Sequence, residues 1–78
     1  MKYSDGKEFK LGDRVKIGDK YHGTVVANID ASEYSELHPQ EQWQYLESGV
    51  MIDTDFGGLV HFKQDDVKTE NIVFESRN

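Results

Sequence analysis

Arg14-Val15-Lys16-Ile17 alternates polar and apolar residues, the period-two pattern of a half-buried strand, and it predicts Val15 and Ile17 facing inward. Gly18-Asp19-Lys20 follows as a turn. From His22 to Ile29 the β-branched content rises again, with Val25, Ala27 and Ile29 expected on one face and Thr24, Val26 and Asn28 on the other. Gly23 inside this run predicts a bulge or a sharp bend. Two further apolar runs, Val50 to Thr54 and Leu59 to Phe62, flank Asp55-Phe56-Gly57-Gly58 and read as a hairpin. Asp65-Asp66-Val67-Lys68 predicts one helical turn, and Ile72 to Phe74 a last short strand.

The remaining segments lack that period. Residues 1–10 read as an extended lead-in anchored by Phe9, and Glu75 to Asn78 as a loose tail. Between the second and third of the five strands lies an insertion whose residues 39–46 predict a short helix. Pro39 suits its first position, Pro39, Trp43 and Leu46 share a side, and Gly49 stops it.

The fold class expected is mainly β: a five-stranded antiparallel barrel with this helical insertion, in a single domain over residues 1–78. Gly12-Asp13-Arg14-Val15, Gly23-Thr24-Val25-Val26 and the Val50 to Phe62 hairpin resemble the SH3-like small barrels, including KOW and Tudor modules. The resemblance implies architecture only. The insertion at residues 30–48 is longer than those barrels usually carry there, so no ligand is carried over.

Strand alternation divides the apolar residues into two sets. Val15, Ile17, Val25, Ala27, Ile29, Val50, Ile52, Val60, Phe62, Ile72 and Phe74 form the expected core. Val26, Met51, Leu59 and Val73 fall on the opposite face and need a cover, for which the apolar side of the insertion helix, Trp43 and Leu46, is the nearest candidate.

Charge narrows the function classes. The 78 residues carry a net charge of −6, and the chain has no cysteine, which excludes a disulfide scaffold and thiolate zinc sites. Residues 1–20 hold six Lys/Arg against four Asp/Glu, whereas residues 21–78 hold three against eleven. Between Asp30 and Glu47 there are five acids and no basic residue, a surface that repels phosphate backbones. No apolar run reaches the ~18 residues of a membrane span, no secretory leader is expected, and a soluble, cytoplasmic chain without membrane attachment is the expectation.

Catalytic and metal motifs are not met. Asp53-x-Asp55 opens like a calcium loop, but Gly57 and Gln64 stand where an EF-hand needs an oxygen ligand and a Glu, and strands flank it. His22, His38 and His61 have no ligand spacing, although His61 could approach His22 across the sheet. No serine lies in a nucleophile elbow, and Gly57-Gly58 lacks the Lys and Ser/Thr of a phosphate loop. The expectation is therefore no enzyme, no cofactor and no metal.

The aromatics of the insertion remain. Tyr and Trp present rigid area with one polar handle, which favours them as interface anchors. Tyr34, Glu36, Trp43, Tyr45 and Glu47 are the expected partner-binding residues of a small acidic interaction module. A basic protein suits that surface, with self-association as a variant. The alternative is a KOW-like nucleic-acid-binding barrel using Lys7, Lys10, Arg14, Lys16 and Lys20.

Overall fold

The computed structural model describes residues 1–35 and 44–77. Six antiparallel strands form its one sheet: β1 (Arg14–Ile17), β2 (Tyr21–Asn28), β3 (Glu33–Tyr34), β4 (Val50–Thr54), β5 (Gly58–Phe62) and β6 (Ile72–Ser76). Their order is β5-β4-β2-β1-β6, with β3 paired to β2 off this path. A 3-10 turn spans Gln44–Leu46 and helix α1 spans Gln64–Thr69. Among the described residues no helix is long and apolar enough to cross a membrane.

The expected five-stranded barrel is corrected to an open sheet. β5 and β6 occupy the two edges and do not pair. The lead-in and α1 pack beside the β6 edge. The Gln64 side chain holds both the Lys2 N–H and the Lys2 carbonyl at 2.8 Å, while the Tyr3 ring meets Phe74 of β6 edge-on. Tyr3 and Phe9 stack on each other, and with Val67 of α1 they are buried in the main core. Aromatic area brought in by the N-terminal segment thus closes the core where backbone pairing does not.

The main core contains Val15, Ile17, Val25, Val50, Ile52, Phe62 and Ile72 as the alternation predicts, with Val60 and Phe74 half-buried at its margin. Two expected members are elsewhere. The β2–β4 register shifts between Val25 and Ala27, so Val25 faces Ile52 but Ala27 faces Met51. One extra residue on β2 reverses the side-chain alternation beyond it. Ala27 and Ile29 therefore join Met51 in a second cluster, and Asn28 turns inward instead, donating to the Phe9 carbonyl at 2.9 Å. The irregularity expected at Gly23 lies at Val26.

The Gly-Asp corner before β1 carries a buried charge. Asp13 is fully buried and accepts hydrogen bonds from Tyr3 Oη (2.8 Å), the Lys10 N–H (3.0 Å) and Arg77 Nε (2.7 Å). Arg77 also donates to the Glu8 carbonyl and lies over the Phe74 ring. The expected loose tail is corrected accordingly: Glu75 and Ser76 belong to β6, and Arg77 joins the chain's end to the Asp13 corner.

The hairpin turn is closed by one side chain. Thr54 Oγ1 donates to the Gly58 carbonyl (2.7 Å) and accepts from the Gly57 N–H (3.1 Å). Thr54→Val keeps the shape but orphans both groups in a site where Thr54 is 6% exposed. The expected cost is about 1–2 kcal/mol in urea unfolding; an unchanged midpoint would show that water replaces the hydroxyl.

Candidate functional site

Two surfaces gather the side chains not used by the core. The first is the insertion between β2 and β4. Its neck is tied by Ile29 N–H to the Gly49 carbonyl (2.9 Å) and by Gly49 N–H to Asp30 Oδ1 (3.1 Å). Gly49 has φ +98°, and a Cβ there would overlap the Phe62 carbonyl oxygen, so only glycine lets the chain enter β4 at this point.

Past the neck, β3 folds back so that Tyr34 stands opposite Ala27 and Glu33 opposite Asn28. Tyr34 is half-buried, and with Leu46 from the 3-10 turn it packs on the Ala27–Ile29–Met51 cluster. This supplies part of the expected cover: Met51 is buried and Val26 half-buried, while Leu59 and Val73 are exposed. Tyr45, adjacent to Leu46, is 71% exposed, and Glu47 beside it is exposed with φ +67°. Of the five expected partner-binding residues, Tyr34, Tyr45 and Glu47 thus flank one small apolar cluster. Glu36 and Trp43 lie outside the described residues, as does most of the helix expected over 39–46.

The second surface is the outer face of the sheet, where an open groove of about 470 Å³ crosses β2. His22, Gly23 and Thr24 of β2 form its floor, Arg14 of β1 lines one side, and Asp53 and Asp55 line the other. Cross-strand register produces this arrangement, since Arg14 stands opposite Thr24, Thr24 opposite Asp53, and Asp53 opposite Leu59. Alternation marks each of these residues as outward, but their alignment into a row needs the register, which the sequence does not display.

The histidines serve separate places. His22 Nδ1 lies 3.0 Å from Glu75 Oε1, and His61 Nε2 donates to the Ser48 carbonyl at 2.7 Å, so the expected approach of His61 to His22 is not made. Among the described residues no group of three or more His, Asp or Glu is placed to hold a metal ion.

The N-terminal cations are divided as well. Lys7 Nζ lies over the Phe74 ring and Lys20 Nζ over Tyr21, while Arg14 and Lys16 stand on the outer face. Tyr21 and Phe56, both exposed, have ring centroids 4.9 Å apart at the hairpin end of the sheet.

Comparison with known proteins finds no matching family model, no matching curated protein and no matching solved structure.

Proposed function

We propose that this chain is a non-catalytic binding module of SH3-like type that engages a protein partner through its insertion, using Tyr34, Glu36, Trp43, Tyr45 and Glu47. The SH3-like reading is supported by the five-strand path with its short turns and by the short helix that precedes the last strand. The observation that carries the functional reading is Tyr45. A 71%-exposed tyrosine, beside an exposed glutamate and next to Leu46, which packs on a cluster separate from the main core, presents a ring that the fold does not use. The acids of residues 30–47 favour a partner with a basic contact surface.

The nucleic-acid alternative draws less support. A backbone-binding stripe needs its cations together, yet two of the five sit against aromatic rings and two share the outer face with Asp53.

Tyr45→Ala combined with Glu47→Lys is expected to change unfolding stability by no more than about 0.5 kcal/mol, because both side chains are exposed. The same variant is expected to lose the proteins that wild type captures from a native lysate. Identical prey for both would remove the insertion as the contact surface.

A further inference from the structure

The groove on the outer face has a charge pattern with a consequence for assembly. Its centre is β2, with Arg14 on β1 and its carboxylates on β4 and the turn after it, each one strand away from β2; Lys16 stands beside it on β1. Arg14 and Asp53 occupy the same cross-strand row on either side of Thr24, and both are exposed. In the neighbouring row Lys16 stands opposite His22, and Asp55 N–H bonds the His22 carbonyl at 3.0 Å. Among the described residues no ion pair joins these cations to these carboxylates. Glu75, on the cation side of the face, is already bonded to His22.

A face with cations on one side of a central strand and acids at matching positions on the other is complementary to itself. Turning a second copy by 180° about an axis parallel to β2 lays the faces together and exchanges left for right. Arg14 of each copy then meets Asp53 of the other, and Lys16 meets Asp55. The same rotation carries exposed Val73, on the β6 edge, toward the hairpin that bears exposed Phe56. This is the isologous arrangement of a twofold dimer, in which one patch supplies both halves of the interface.

We infer that the outer face binds a second copy of this chain, forming a twofold dimer held across β2 by reciprocal Arg14–Asp53 and Lys16–Asp55 pairs. The insertion surface is a different part of the molecule, so this inference stands or falls apart from the partner-binding reading.

Sedimentation equilibrium of the purified chain and its charge-swap variants tests it. Wild type is expected to dimerise between micromolar and millimolar concentration. Arg14→Asp places Asp against Asp53 twice per dimer, and Asp53→Arg places Arg against Arg14 twice, so each should weaken association about tenfold or more. An equimolar mixture of the two single variants restores both opposite-charge pairs and is expected to dimerise, as is the double variant Arg14→Asp/Asp53→Arg. Any of three results overturns the inference: wild type monomeric throughout, a dimer insensitive to the single swaps, or singles that weaken association without rescue by the mixture or the double variant. Circular dichroism melts of the singles, expected to match wild type, keep loss of association distinct from loss of fold.

Discussion

Asp13→Ala is expected to destabilise the fold by about 3 kcal/mol, a large share of what so small a domain has. Asp13 is fully buried and gathers three donors: the Lys10 N–H of its own turn, Tyr3 from the lead-in and Arg77 from 64 positions away. Truncation strands the Tyr3 hydroxyl, the Lys10 N–H and a guanidinium that has lost its carboxylate. The magnitude belongs at the lower end of the range for broken buried pairs, because the Arg77 side chain is one-third exposed and water partly compensates it. Equilibrium unfolding in urea checks this, and a loss below about 1 kcal/mol would mean that water replaces the carboxylate at every donor.

The same cluster sets a pH window. Burial alone would push the Asp13 carboxyl up, but hydrogen bonds from Arg77, Tyr3 and Lys10, with the Arg77 charge, outweigh it and hold the group below the ordinary carboxylate range. The unfolded chain then takes up this proton at higher pH than the folded one. Its contribution is present above about pH 4, the ordinary Asp value, and is lost as pH falls through the depressed folded value. Tyr3 is pushed far up, first by its burial and then by the hydrogen bond and negative charge of Asp13. Above about pH 10 the unfolded chain releases a proton that the folded chain keeps, so stability falls again there. Tyr3→Phe is expected to remove the alkaline loss contributed by this residue. A Tyr3→Phe profile that matched wild type above pH 10 would contradict the assignment.

Gly23→Val is expected to cost about 3 kcal/mol, the upper end of ordinary overpacking. Here the reason is proximity, since no positive φ is recorded for this glycine. A Cβ at Gly23 would lie 2.5 Å from Ile52 Cγ2 and 3.0 Å from the Asp53 carbonyl oxygen. Ile52 is fully buried and cannot swing away, and the carbonyl belongs to the β4 backbone that pairs with β2. Gly23→Ala meets the same first obstruction and is expected to destabilise as well, by less. A Gly23→Val melting temperature equal to wild type would show that β2 and β4 separate freely at this point.

These two residues mark where sequence reading stops. Local pattern was enough for β1, for the β4–β5 hairpin, for the turn of α1 and for Phe9 as an anchor, because each depends on neighbours within a few positions. Ala27 lies on the face opposite to the one alternation predicts because a single extra residue, Val26, reverses the alternation without altering composition. In the sequence Asp13 is one residue of the Gly12-Asp13-Arg14-Val15 segment, and Arg77 one residue of an aperiodic tail. Their bond spans 64 positions, and nothing local to either residue announces it. The open sheet escapes the local pattern for a related reason: Tyr3 and Phe9 sit in an aperiodic segment, yet their stacked rings are part of the main core. In the candidate site, the acidic and polar neighbours of Tyr34 and Tyr45 point to at least partial exposure; Tyr45 is exposed and Tyr34 is half-buried. The Arg14–Thr24–Asp53 row came only with the register.

The most direct test of the binding-module account is site-specific photo-crosslinking in the cell of origin. A benzophenone-bearing amino acid replaces Tyr45, and a control chain carries it at Thr69, an exposed position in α1. The account predicts a discrete covalent adduct with a protein partner at position 45 that is absent at position 69. No adduct at position 45, or the same adducts at both positions, would contradict it.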